Sequence, residues 1–179
     1  MNSKQRVLNS LNGLDIDRIP VDMFEGGSIY PDLIKNRLMS YFNVSNWDDV
    51  LIAVKSDLRW LNAAVYRGPK KYTPDGRETN EFGAIELAYS PWKEVNMDLI
   101  NSYDWPDPSD WDYTGLREQA LKYSDYAICA PYIPTMLFSR TAELMGMEEA
   151  LICMYTEPKV YDALVAKIFE YSYGFMKMY

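Results

Sequence analysis

A carboxylate lies inside a strongly apolar stretch, and this feature constrains the fold more than any other. The stretch is Val50 to Tyr66, and Asp57 interrupts its run of Val, Leu, Ile, Ala and Trp. An apolar run that begins after Ser-Asp and ends before Gly68-Pro69 predicts a strand covered on both faces, as in parallel sheets. Carboxylates are rarely buried without a partner. Asp57 therefore either pairs with a neighbour such as Arg59 or is held for a ligand, and the residues alone leave both interpretations open.

Composition limits the classes of protein and partner that fit the chain. The 179 residues are 48% hydrophobic and 15% aromatic, which is enough to build one core, so we predict a single domain over residues 1–179. The net charge of -8 repels phosphate backbones and anionic membrane surfaces, so neither nucleic acid nor a membrane is expected as partner. Residues 1–11 lack the apolar core of a signal peptide, and we expect a cytoplasmic protein.

The chain has no histidine and only two cysteines. A Ser-His-Asp triad, a Cys-His pair and a His-ligated metal are therefore excluded within these residues. Cys129 and Cys153 match no zinc-knuckle spacing and are interpreted as small core residues. General acid or base chemistry would fall to Asp, Glu, Tyr or Lys.

Apolar runs alternate with amphipathic helical patterns along the chain. The predicted core strands are Ile19 to Phe24, Leu58 to Tyr66 and Ala127 to Pro131. This alternation predicts a parallel α/β architecture. About four strands are expected, against the eight strands and ~250 residues of a closed barrel, and the last helical pattern stops with its apolar stripe unfinished. We therefore expect a fragment of a larger fold.

Two further features are candidate binding elements. Gly26 and Gly27, before the helix start at Pro31, would let backbone amides approach an anion, although they form no phosphate-loop signature. Tyr132 follows a predicted strand and could line a flat pocket, although core packing is the commoner role of such a ring.

Several motifs in order along the chain resemble the uroporphyrinogen decarboxylase family. They are Asp17-Arg18-Ile-Pro-Val, Lys55-Ser-Asp57, Ala130-Pro131-Tyr132, the Glu143 to Leu151 segment, and Glu157-Pro158 before a long helix. The resemblance spans essentially all 179 residues and implies a TIM (β/α)8-barrel, of which this chain would be the N-terminal half. The rest of the polypeptide or a second copy would then cover the open strand edges.

The family resemblance implies two reactions and a set of site residues. One branch decarboxylates uroporphyrinogen in porphyrin biosynthesis, and the other transfers methyl groups between a corrinoid protein and an acceptor. The resemblance implies that Asp57, at the C-terminal mouth of its strand, is the catalytic acceptor for pyrrole N–H groups. Gly26, Gly27, Tyr132 and Arg59 are the candidate substrate-binding residues.

The sequence departs from the decarboxylase pattern at the first strand. No arginine lies between Arg18 and Arg37, and Glu25 stands where the decarboxylases carry an arginine-rich segment that binds substrate carboxylates. This departure favours methyl transfer when the protein is complete, with decarboxylation as one alternative and a non-catalytic binding or scaffold role as another. A tetrapyrrole or a corrinoid protein is the expected partner. We expect no cofactor within this chain; a zinc ion for methyl transfer would need ligands beyond Tyr179.

Overall fold

The computed structural model describes residues 1–23, 30–86, 88–131 and 136–179. Two compact units divide the chain, one formed by Met1–Ala64 with Thr114–Pro131 and the other by Val65–Tyr113 with Tyr132–Tyr179. We refer to them as unit 1 and unit 2. The expectation of one domain over residues 1–179 stays a prediction, because two compact units can belong to one domain.

Helices dominate both units, and the strands are short. Within the described residues the helices are α1 Ser3–Leu11, α2 Asp32–Phe42, α3 Trp47–Ala53, α4 Met97–Ser102, α5 Leu116–Lys122, α6 Leu137–Met145, α7 Met147–Thr156 and α8 Pro158–Met176. The strands are β1 Leu58–Trp60, β2 Val65–Tyr66, β3 Trp111–Asp112 and β4 Ala127–Cys129.

The predicted TIM barrel of the uroporphyrinogen decarboxylase type is wrong for this structure. The part of the chain that the structure describes is about 48% helical, and its four short strands form two small sheets with no closed barrel. The predicted strand from Leu58 to Tyr66 divides into β1 and β2, which belong to different sheets. Residues 19–23 form no strand, and Phe24 lies outside the described residues.

Unit 1 contains a parallel pair of short strands. β1 pairs with β4, and Leu58 lies opposite Ala127 while Trp60 lies opposite Cys129. α1 packs against both strands. Asn46 caps α3, since its side chain accepts a hydrogen bond from the Asp49 N–H at 3.0 Å. Val50 and Leu51 of α3 are buried because they lie on its inner face.

Unit 2 is built around α8, which packs against α4, α6 and α7. Its aromatic residues form edge-to-face pairs in the core, as Trp92 does with Tyr103 and with Trp105. The rings therefore fix the proline-rich loop after α4. The buried residues of this core are Phe82, Trp92, Ile100, Leu144, Met145, Ala150, Cys153, Leu164, Ile168 and Tyr171. β2 and β3 pair in antiparallel register beside it.

Candidate functional site

Asp57 is fully buried and lies directly before β1. Its Oδ1 accepts hydrogen bonds from Arg6 Nη1 at 2.6 Å and from Arg18 Nη2 at 2.8 Å. Its Oδ2 accepts from Arg18 Nη1 at 2.6 Å and from the Val21 N–H at 2.9 Å. The carboxylate therefore has two donors on each oxygen, which is close to the capacity of the group.

The two arginines reach Asp57 from different parts of unit 1. Arg6 is a buried residue of α1, and its guanidinium also binds Asp17, through Nε at 2.6 Å and Nη2 at 2.8 Å. Arg18 also donates to the backbone carbonyls of Ile19 and Lys55. Two arginines and two aspartates give this cluster zero net charge. It fastens α1 and the segment after it to the start of β1.

The charges of the cluster determine the pKa values of its carboxyl groups. Burial by itself would raise the pKa of Asp57, but hydrogen bonds from Arg18, from the Val21 N–H, from Ser3 and from Arg6 together lower it below its usual value. The hydrogen bonds from Arg6 hold the pKa of Asp17 well below its usual range. Both carboxyl groups are therefore ionised at neutral pH.

The position of Asp57 in the structure differs from the position that its predicted catalytic role requires. The residue lies at the amino-terminal end of β1, whereas the expected position was the C-terminal mouth of its strand. A substrate would reach its oxygens only after Arg6 or Arg18 had moved away. The geometry is that of an internal ion pair, and the catalytic role stays a prediction.

Arg59 is buried apart from this cluster. Its Nη1 donates to the carbonyls of Ser56 at 3.0 Å and Leu58 at 2.8 Å. Its guanidinium stacks over the ring of Tyr126 with the Cζ atom 3.7 Å from the ring centre. The structure therefore pairs Asp57 with Arg6 and Arg18, and not with Arg59 as the sequence suggested.

The other three predicted substrate-binding residues, Gly26, Gly27 and Tyr132, lie outside the described residues.

The carboxyl ends of the parallel strands bring together residues that the sequence did not associate. Trp60 ends β1 and lies beside Cys129, which ends β4. The indole N–H of Trp60 is 3.3 Å from both carboxylate oxygens of Asp22. Burial, and to a smaller extent Asp22, raises the pKa of the Cys129 thiol, so this cysteine is a protonated thiol at neutral pH. Because the partners come from distant parts of the chain, only the parallel pairing reveals their proximity.

The zinc implied by the methyltransferase branch does not fit the described residues. They contain no group of three or more His, Cys, Asp or Glu side chains that could hold a metal ion. We therefore derive no step through zinc. Within the same residues, none of the helices combines the length and the apolar character needed to cross a membrane.

Comparison of the chain with protein-family models, with curated proteins and with solved structures finds no match. The resemblance to the uroporphyrinogen decarboxylase family therefore rests on the sequence motifs alone.

Proposed function

We propose that this chain acts as part of an enzyme that resembles the uroporphyrinogen decarboxylase family and that transfers a methyl group between a corrinoid protein and an acceptor. The ordered motifs along the sequence support the proposal. The structural observation that carries it is the parallel pairing of β1 with β4. In α/β enzymes, ligands bind outside the carboxyl ends of parallel strands.

The proposed ligand-binding edge is formed by Asp22, Trp60 and Cys129. The indole ring of Trp60 offers an apolar surface at the end of β1, and Asp22 holds it in place from the preceding segment. Cys129 is half-buried and protonated, so its role here is to shape the edge and not to attack a substrate. Asp57 serves the same edge indirectly, because it fixes the start of β1.

Three of the five arginines of unit 1 favour methyl transfer over decarboxylation. A porphyrinogen with eight carboxylates needs cationic partners. Arg6 and Arg18 are both bound to Asp57, and Arg59 is stacked on Tyr126 with only 2% of its surface exposed. These three guanidinium groups are therefore used inside the fold. Decarboxylation stays the alternative, and the third candidate is a binding or scaffold role without catalysis.

The proposal includes a location and a partner. We propose the cytoplasm as its location. The partner is a corrinoid protein. We further propose that a second copy of the chain, or further polypeptide, covers the strand edges of the β1–β4 pair.

The test is an assay of the protein encoded by the complete reading frame that contains this sequence. The protein is incubated with methylcobalamin and a thiol, and loss of the methyl group is followed by absorbance. A parallel reaction with uroporphyrinogen measures loss of carboxylates. The proposal expects turnover of methylcobalamin alone, and Trp60→Ala should reduce it. Turnover of uroporphyrinogen at an enzymatic rate would support decarboxylation instead, and no turnover of either compound would favour a binding role.

A further inference from the structure

Unit 2 contains a cleft of about 320 Å³, which is at the small end of the range for pockets that bind organic ligands. Its wall includes Arg140 and Glu143 of α6, together with Asn80 and Glu86 from the segment before α4. All four residues belong to unit 2. The cleft therefore forms no part of the function proposed above.

The wall of this cleft holds a buried donor without a partner. Arg140 is only 5% exposed, and its Nε–H has no hydrogen-bond partner. Buried polar groups are nearly always satisfied, and an exception calls for an explanation such as a missing water or ligand. The other two nitrogens of the guanidinium have partners, since Nη1 donates to Glu143 at 2.6 Å and Nη2 lies 3.6 Å from Glu81. The group that completes Arg140 is therefore an acceptor.

The same wall holds an acceptor with unused capacity. Oε2 of Glu143 accepts hydrogen bonds from Arg140 Nη1 at 2.6 Å and from Asn80 Nδ2 at 3.0 Å. Asn80 is itself fixed, because its side-chain oxygen accepts from the N–H groups of Phe82 and Ala84. Both bonds to Glu143 use the same oxygen, so Oε1 can accept a hydrogen bond from a molecule in the cleft.

The charges beside Arg140 favour a neutral ligand. The single charge of Arg140 faces two carboxylates, Glu81 and Glu143, which leaves one negative charge in excess. An anion that accepted from the Nε–H would bring a third negative charge and be repelled. An ammonium group has no acceptor and would leave the Nε–H unsatisfied. The complementary ligand is therefore neutral and carries an acceptor beside a donor.

An adjoining cleft has room for the rest of such a ligand. This second cleft of about 450 Å³ shares Glu86 and Glu143 with the first. Its wall includes the ring of Tyr89 and the apolar side chains of Ala142 and Met147. Aromatic and aliphatic side chains of this kind pack against a flat ring.

We propose that the two clefts bind a primary carboxamide attached to a small aromatic ring. The carbonyl oxygen of the ligand accepts from the Nε–H of Arg140, and its N–H donates to Oε1 of Glu143. The Nε–H is closed to solvent in the free protein, so binding includes a small shift of the Arg140 side chain. The contact between Nη2 and Glu81 is longer than a hydrogen bond, which leaves room for that shift.

The proposal is tested by titrating the protein with benzamide in a calorimeter. We expect saturable binding with a dissociation constant on the order of 1 mM, as is reasonable for a ligand of this size. Acetophenone lacks the donor, benzylammonium lacks the acceptor, and benzoate carries a negative charge. Each of the three should bind at least about tenfold more weakly, because each leaves one hydrogen bond unmade or adds a repulsion.

The Nε–H of Arg140 can be followed directly in the parent protein, because arginine Nε–H groups give separate signals in nitrogen–proton correlation spectra. Saturating benzamide should shift this signal and slow its exchange with water, since the donor becomes hydrogen-bonded. The Nε–H of Arg59 is the matched control. It is also buried and without a partner, but it lies in unit 1, and its signal should not move.

Three variants assign the binding to the cleft. Arg140→Lys keeps the positive charge and removes the Nε–H, and it should weaken benzamide binding about tenfold. Glu143→Gln should weaken it by a similar factor, since it removes a charge-assisted hydrogen bond. Glu118→Gln, in the first turn of α5 in unit 1, is the charge-matched control and should leave binding unchanged. If neither variant of α6 folds, the ligand series and the Arg140 signal of the parent protein decide.

Any of three results would overturn the proposal. The first is no saturable binding of benzamide at about 20 mM, well above the expected dissociation constant, in which case water alone satisfies the Nε–H. The second is equally tight binding of acetophenone, benzoate or benzylammonium. The third is saturation with benzamide that leaves the Arg140 signal in place or moves the Arg59 signal as much.

Discussion

At the scale of single residues, the charged side chains near the start of β1 bind one another inside the fold. Asp57, Arg6 and Arg18 form a neutral cluster together with Asp17, and each charge is matched by direct hydrogen bonds. An uncompensated carboxylate at this depth would be strongly unfavourable, whereas a fully bonded one is tolerated. The cluster therefore acts by connecting α1 to the strand.

The lowered pKa values of these carboxyl groups predict a loss of stability in acid. A group whose pKa is lower in the folded than in the unfolded protein stabilises the fold above its unfolded pKa, about 3.9 for Asp. That stabilisation is lost as the pH falls further towards the folded pKa. We therefore expect the free energy of unfolding, measured with urea, to fall steadily below about pH 4.

The variant Asp17→Asn provides the control, because the Asp17 side chain is partly exposed and its replacement should leave the fold intact. The difference in unfolding free energy between the parent protein and Asp17→Asn should shrink as the pH falls from 7 to about 3. A constant difference over that range would show that the ionised form of Asp17 has no part in stability.

At the scale of elements, the junction between α6 and α7 depends on one glycine. Gly146 has φ +89° and ψ 151°, a backbone conformation that is essentially restricted to glycine. A methyl group added there would meet no atom within 4 Å, so any cost of substitution comes from the backbone alone. Gly146 thus sets the direction in which α7 leaves α6.

The variant Gly146→Ala should lower the free energy of unfolding by about 1–3 kcal/mol. Gly13→Asn is the matched control, since Gly13 has φ +65° in open space, where asparagine is well tolerated. Denaturant titrations of the two variants provide the comparison. If both variants lost the same small amount of unfolding free energy, position 146 would not require glycine.

At the scale of the whole molecule, a row of large apolar side chains on α7 faces solvent. Met147, Leu151 and Tyr155 follow a four-residue spacing, and their exposed fractions are 52%, 54% and 90%. Residues four apart lie on the same helix face. An exposed stripe of this kind is typical of a surface that contacts another protein.

We expect the stripe to drive association of the protein with itself. The mass measured by light scattering should exceed 20.8 kDa as the concentration rises. Leu151→Lys should abolish this increase, whereas Leu121→Lys, on α5 with 67% exposure, should not. A mass that stays at the monomer value at every concentration would contradict the expectation.

The sequence predicted local structure better than the long-range arrangement. Asn43, in a left-handed conformation, ends α2, and Asn46 caps α3; such local features depend only on neighbouring residues and are therefore accessible from the sequence. The alternation of patterns indicated a parallel arrangement, but it did not predict that β1 pairs with β4. The predicted barrel was wrong. A strand of two or three residues leaves too short a pattern in the sequence to predict its length or the sheet that it joins.

The candidate site was predicted only in part. The sequence identified Asp57 as a buried acid that needs a partner, but it suggested Arg59 because Arg59 is close along the chain. The actual partners, Arg6 and Arg18, are 51 and 39 residues away. No local pattern encodes contacts over that distance. The hydrogen bond between Asn80 and Glu143 in unit 2 was missed for the same reason, since these residues are 63 positions apart.

The structure places Asp57 in an internal ion cluster at the start of β1, and the proposed ligand edge lies at the other end of this strand. The most direct test of this placement of Asp57 is the free energy of unfolding of Asp57→Asn, measured by urea denaturation at neutral pH. Removing one member of a buried ion cluster should cost about 3–5 kcal/mol, because the arginines lose their counter-charge. An unfolding free energy unchanged from that of the parent protein would contradict the account and return Asp57 to the role of a residue held for a ligand.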